Sequence, residues 1–181
     1  MSFILAITGP AGAGKSTTAK KVARIVEKCV NIDVDHLKAF IVNGFIYDDT
    51  PEGIKQWQLL GDNIGIVAKN FVDAGYNVII NGYLDESAWK NVDKYVTFTH
   101  KVLLLPHIKV NIDRDKERPG DFVMGEDTIS RHQEYFASNR FYDDYQRLDT
   151  TNHTVDETTQ SILQFLVRSS GKSSGRLSSN R

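Results

Sequence analysis

Apolar positions along the chain follow two textures. Residues 3–8 (FILAIT), 77–81 (NVIIN) and 101–105 (KVLLL) are short runs, apolar on both alternating faces. They predict strands covered by helices on both sides. The run at 30–34 (VNIDV) predicts the second strand in chain order, and 146–150 a weak fifth. Between them the apolar spacing changes to three and four. Ala19, Val22, Ala23 and Val26 mark a helix over 14–28. Ile54, Trp57, Leu60, Ile64, Val67 or Ala68, and Phe71 mark the longest helix, over 54–74, with Gly75 placed as its C′ residue. Residues 35–43 predict a short helix ended by Gly44, and 48–53 a loop. The stretch after Pro106 predicts a helix to 118, stopped by Pro119-Gly120, and 126–138 a further one. Thr154-x-x-Glu157 is a capping-box pattern opening the last helix, which runs to about 167.

Strands alternating with helices predict an α/β fold with a parallel sheet, helices on both faces and a ligand at the C-terminal strand ends. Residues 1–168 form one expected domain. From 169 the chain reads SSGKSSGRLSSNR, which has no apolar pattern and predicts a disordered tail over 169–181. The 22 Lys and Arg nearly balance 23 Asp and Glu, giving a net charge of −1. That leaves no basic footprint, so a nucleic-acid partner is not expected. No apolar run approaches the roughly 20 residues that cross a bilayer, so no membrane partner is expected either. A single cysteine, Cys29, permits no intrachain disulfide, which fits a reducing, cytoplasmic setting. Five histidines are scattered without metal-ligand spacing; His36, beside Asp35, is the one to watch.

The chemistry concentrates at GPAGAGKST, residues 9–17, which matches G-x-x-x-x-G-K-[ST] at Gly9, Gly14, Lys15 and Ser16. Glycines let a backbone curl around phosphate oxygens and aim its N–H groups inward, here through Gly9, Ala11, Gly12, Ala13 and Gly14. The following helix offers its positive end to the same anion. Lys15 can reach β- and γ-phosphates, Ser16 can hold Mg²⁺, and Thr17 adds a hydroxyl near the α-phosphate. An apolar strand before the loop and an amphipathic helix after it are the context this motif requires. ATP and Mg²⁺ are therefore the expected ligands. Asp33-Val34-Asp35 follows the second strand, and strand alternation would send both carboxylates to one side. One near Mg²⁺ and one near an acceptor hydroxyl is what phosphoryl transfer can use. Arg114 and Arg118 are four apart and would share a helix face.

The N-terminal phosphate loop, the D-x-D after the second strand and R-D-K-x-R-P after the fourth resemble the small P-loop kinases. Among them are the shikimate kinase, gluconate kinase, chloramphenicol phosphotransferase and polynucleotide kinase families. The resemblance spans roughly residues 3–167. It implies a three-layer P-loop NTPase fold with five parallel strands in the order 2-3-1-4-5. It also implies a small lid near 118–126, opened by Arg118 and flanked by Gly120 and Gly125. By the same likeness Asp33 matches a metal-side carboxylate and Asp35 one that takes the acceptor's proton. Asn81 and Tyr83 match an acceptor pocket, and Arg140 an arginine pointing into it. Two departures stand out: the third strand ends in Asn81 where a Walker B strand carries Asp, and Asn81-Gly82-Tyr83 replaces the glycine-rich run of shikimate kinases. The expected activity is an ATP-dependent kinase of a small-molecule hydroxyl. The alternatives are a polynucleotide or zeta-toxin-like kinase of a larger acceptor, or a regulatory NTPase; no N-K-x-D guanine motif is present.

Overall fold

The computed structural model describes residues 2–118 and 123–170, with side chains to Arg168. The predicted tail from 171 and the centre of the predicted lid, 119–122, lie outside the described residues. Five strands, β1 (Ile4–Thr8), β2 (Cys29–Asp33), β3 (Asn77–Asn81), β4 (His100–Leu104) and β5 (Gln146–Leu148), form one sheet in the order β2-β3-β1-β4-β5. All pairings are parallel. This is the predicted order. It sets the C-terminal ends of β1, β2 and β3 side by side, with Asp33 opposite Asn81.

Strand alternation sorts the core into two layers. On one face Ile4, Ala6, Ile32, Val78 and Ile80 pack against α3 (Pro51–Asp73) and α4 (Glu86–Val92) through Trp57, Leu60, Ile64, Ala68, Ala88 and Trp89. On the other, Leu5, Ile7, Ile79, Val102 and Leu104 pack against α1 (Lys15–Ile25) and α7 (Val155–Ser170) through Ala19, Val22, Ile162 and Leu166. Three helices remain: α2 (Val34–Lys38), α5 (Ile108–Lys116) and α6 (Glu126–Ser138). No described helix is long and apolar enough to cross a membrane.

The capping box forms as predicted: Thr154 N–H donates to Glu157 Oε2 at 2.8 Å and Glu157 N–H to Thr154 Oγ1 at 3.2 Å. Gly75, at φ 83°, closes α3 in a Schellman arrangement, with Gly75 N–H on Val72 O (2.9 Å) and Tyr76 N–H on Phe71 O (3.0 Å). That same helix opens earlier than predicted. Thr50 caps it by accepting from Gly53 N–H at 3.2 Å, and Pro51 occupies its first turn, so part of the predicted loop 48–53 is helix. Conversely, α2 stops at Lys38 rather than near residue 43. Phe40 and Val42 beyond it are 78% and 93% exposed, so a longer helix would have no surface to pack on. α5 ends at Lys116, which leaves Arg118 past the helix rather than on one regular face with Arg114. α7 continues to Ser170, because no breaker precedes Gly171. The short α4 was not predicted at all. Asp85 caps it through Ala88 N–H at 2.7 Å, and Trp89, 1% exposed, anchors it.

Helices α3 and α4 meet at Gly61. A Cβ at Gly61 would lie 2.3 Å from Ala88 O and 2.8 Å from Asn91 Cβ. Gly61→Ala should therefore destabilise the protein by about 1–3 kcal/mol in urea unfolding, despite alanine's higher helix propensity. A stabilised Gly61→Ala protein would show that the two helices do not approach this closely.

Candidate active site

The loop from Gly9 to Gly14 leaves β1 buried and enters α1 through two left-handed glycines, Gly12 (φ 77°) and Gly14 (φ 87°). Gly12 is required by space as well as by angle. A Cβ there would sit 2.5 Å from the backbone oxygen of Asn111 in α5. Asn111, fully buried, is in turn fixed to α6 by donating to Gln133 Oε1 at 3.0 Å. The loop is thus wedged between the sheet and α5. At the start of α1 Gly14 provides no side-chain cap, and the first intrahelical bond is Thr18 N–H to Gly14 O at 3.0 Å. The N–H groups before it, in Lys15 to Thr17, are open to an anion.

Lys15 Nζ donates to Gly9 O at 2.9 Å and to Pro10 O at 2.8 Å. Burial pushes its pKa down to about 8, from an ordinary 10.5. The strongest charge acting on it is Asp35, which favours its protonated form; Arg118 opposes, Asp33 favours and Lys38 opposes. Five charged side chains from four places in the chain therefore share one field at the C-terminal edge of the sheet.

Asp33, 8% exposed, ends β2 and caps α2 by accepting from Asp35 N–H at 3.2 Å. Asp35 lies in the helix rather than two places along a strand, so the predicted strand alternation of the pair does not hold. The two residues are joined by the cap instead, the Asp33 carboxylate on the Asp35 amide. Asp35 is exposed and pairs with Lys38 Nζ at 2.7 Å. His36 beside it is also exposed. Asn81 is fully buried, and its Nδ2 donates to Asn31 Oδ1 at 2.9 Å. Alternation in β2 and β3 sets Asn31, Asp33 and Asn81 on the α1 side of the sheet, with Ile79. Asn81 thus stands on the phosphate-loop side of the sheet.

Tyr83 lies on the opposite side, in an aromatic wall beyond Asp35 and Lys38. Phe45 meets Trp57 edge-on at 5.1 Å, Trp57 meets Tyr83 at 5.9 Å, and Tyr83 stacks on His132 at 4.7 Å with 19° between planes. Lys38 Nζ lies 5.4 Å from the Tyr47 ring. Burial holds the His132 pKa down to about 4, and Lys15, Arg131 and Lys38 add to the effect, so the imidazole is neutral at pH 7. Burial pushes the Tyr83 phenol up to about 12. Lys38 and His132 were not singled out from the sequence. Lys38 carried a readable signal in its three-residue spacing from Asp35. His132 carried none, since it joins the site only by the packing of α6.

Arg118 pairs with Asp115 at 3.5 Å and contributes to the field at Lys15. Arg114 is half-buried in the last turn of α5, while Ser16 and Thr17 open α1, half-buried and exposed. Arg140 is exposed at the start of a 3₁₀ turn, Arg140–Tyr142. Among the described residues no hydrogen bond or ion pair joins it to the cluster around Lys15.

A wedged phosphate loop at the edge of a 2-3-1-4-5 sheet, with an acid pair facing its lysine, defines a P-loop phosphotransferase. Residues 2–167 match the chloramphenicol phosphotransferase-like protein family, and the chain belongs to that family. Solved structures share the fold at low identity. A sugar kinase from Janibacter sp. HTCC2649 is 17% identical, with 92% of this chain and 95% of that one covered and a TM-score of 0.70. Thymidylate kinase from Candida albicans is 12% identical over 92% of each chain, with a TM-score of 0.71. Shikimate kinase from Acinetobacter baumannii is 16% identical over 93% and 94%, with a TM-score of 0.63. No curated protein matches the sequence.

Lys15 gives a prediction in which binding and stability move oppositely. Its folded pKa, about 8, lies below the ordinary 10.5, so between these values the unfolded chain binds more protons and stability rises with pH. At pH 7 the ammonium is protonated in both states, and the whole cost of burying it is present. Lys15→Met should be more stable at pH 7 by about 1–3 kcal/mol in urea, should lose the rise between pH 8 and 10.5, and should lose nucleotide affinity. A Lys15→Met protein no more stable than the parent would show the ammonium to be well solvated.

Proposed function

We propose that the chain is an ATP-dependent kinase that transfers the γ-phosphate to a hydroxyl of a small-molecule acceptor. The observation that carries this reading is the field at Lys15, where the strongest charge is the Asp35 carboxylate on the acceptor side of the phosphate loop. A carboxylate acting on a phosphate-binding lysine suits a general base better than a structural charge.

The residues present fit a nucleoside triphosphate and a magnesium ion. The open N–H groups at the start of α1 and the Gly12 turn suit phosphate oxygens. Ser16 and Asp33 would hold Mg²⁺. The buried Asn81 Oδ1, without a partner among the described residues, faces the same side and suits that polar neighbourhood. Bound magnesium would offset negative charge on the phosphates as it shifts toward the leaving oxygen.

Lys15 draws the β- and γ-phosphates into the loop, leaving the carbonyls of Gly9 and Pro10 for better-charged partners. Arg114 and Arg118 approach from α5 and beyond it, and Arg118 supplies charge where the transferring group moves. Asp35 orients the acceptor hydroxyl and takes its proton. Tyr83 and neutral His132 form the wall on which the acceptor lies, with Lys38 at its rim. By the family likeness Arg140 serves the outer part of that pocket, while Asn81 stands beside Asp33 on the phosphate-loop side.

The test is ADP release from Mg-ATP across a panel of sugar acids, nucleosides and hydroxylated antibiotics, against ATP-only controls. An acceptor-dependent rise is expected. A flat panel with intact ATP binding would shift the acceptor to a macromolecule. With an active acceptor in hand, Asp35→Asn should lower turnover by about 10²–10⁴-fold while ATP affinity stays near that of the parent. Loss of ATP binding in Asp35→Asn would remove Asp35 from the acceptor side.

A further inference from the structure

Asp115 is a carboxylate buried to 1% exposure in the last turn of α5, and the sequence offered no reason to single it out. Its Oδ2 accepts from Met124 N–H at 2.9 Å and from Gly125 N–H at 3.0 Å. Gly125, at φ 83°, is the residue from which α6 starts, and it has no side-chain cap of its own. Asp115 Oδ1 faces Arg118 Nε at 3.5 Å and makes no hydrogen bond. The backbone repeats the link, with Arg118 N–H donating to Asp115 O at 3.1 Å. One buried carboxylate therefore binds the chain just after α5 and again where it returns to α6.

A buried carboxylate is costly unless compensated, and here two amides and one guanidinium compensate it. The Arg118 contact is made by Nε, on the inner edge of the guanidinium. Among the described residues the two terminal nitrogens have no hydrogen-bond partner, and they form a planar fork, the geometry that suits phosphate oxygens. Asn111, one turn before Asp115 in α5, lies against Gly12 of the phosphate loop, so the fork stands at the end of a helix that abuts that loop. α5 itself is located by the close contact of Asn111 with Gly12.

Resting on the kinase reading above, we propose that Asp115 is a positioning residue: it holds Arg118 by its Nε so that the guanidinium fork faces the γ-phosphate, and it ties Met124 and Gly125 to the same point. Asp115 itself touches no substrate. Its role is to remove rotational freedom from Arg118 before the nucleotide arrives, so that less is lost when the phosphate contact forms.

The readout is affinity rather than turnover. Affinities of the full chain for ATP and for ADP, each with Mg²⁺, are measured by calorimetry for the parent, Arg118→Ala, Asp115→Asn and the double variant. ADP lacks the γ-phosphate, so it reports folding and the rest of the site. Each single variant should lose about tenfold or more in ATP affinity with ADP affinity unchanged, and the double variant should lose no more than Arg118→Ala alone. Additive losses, or equal losses for ATP and ADP, would overturn the positioning role and leave the kinase reading standing. A parent protein that binds neither nucleotide would overturn both. Asp115→Glu keeps the charge and moves it by one methylene. It serves where Asp115→Asn fails to fold, and should also lower the ratio of ATP to ADP affinity; an unchanged ratio would count against the proposal.

Discussion

A lysine ammonium held largely out of water beside two backbone carbonyls is the constraint on which the rest of this molecule turns. Lys15 reaches Gly9 and Pro10 oxygens only because β1 ends, the chain curls back through left-handed glycines, and α1 begins, all within seven residues. Uncharged carbonyls compensate the ammonium incompletely, which is why burial dominates its shifted pKa. Everything nearby answers to that charge. Asp35 and Asp33 offset it, Arg118 and Lys38 oppose it, and His132 stays neutral partly because of it. A polyanion is the ligand for which such a site is electrostatically incomplete.

The scaffold divides this task between rigid and adaptable parts. On the phosphate side the parallel sheet, the Gly12–Asn111 contact and the buried Asn111–Gln133 pair leave little room for movement. The side proposed for the acceptor rests on side chains that pack edge-on, Phe45, Trp57 and Tyr83, next to exposed residues such as Phe40, Val42 and Tyr47. Nucleotide chemistry common to a family belongs on the first kind of surface, and acceptor preference on the second.

How much of this the sequence disclosed depended on whether the cause was local. The strand-loop-helix unit at 3–17 was legible because glycine, lysine and hydroxyl residues at fixed spacing have few other uses, and the sheet order came with the likeness that unit supported. The capping box and Gly75 were legible for the same reason. Thr50-Pro51 is an equally local start signal, but it lies a turn ahead of the apolar stripe, so the stripe alone marks the helix start late. Within that stripe Ile54 and Phe71 turn out 37% exposed, because the sheet takes only the turns from Trp57 to Ala68. The short α4 is held in place by Trp89 and by Gly61 of a different helix, and no window of its own sequence contains that information. His132, Lys38 and Asp115 belong to the same category. His132 acquires its role from an element distant in the chain, whereas Lys38 and Asp115 have partners within ten residues that only the folded backbone brings to them.

One small contact has a long reach. Asp33 Oδ1 holds the amide of Asp35, so the carboxylate proposed for the metal carries the backbone of the one proposed for the acceptor. A descendant of this protein selected for a new acceptor is free to rebuild 39–49 and the aromatic wall piece by piece. The Asp33-Val34-Asp35 step gives no such freedom. A substitution at Asp33 also re-aims Asp35, and drift in the α2 backbone pulls on Asp33. Divergence of acceptor choice in this fold should therefore proceed around the acid pair and not through it.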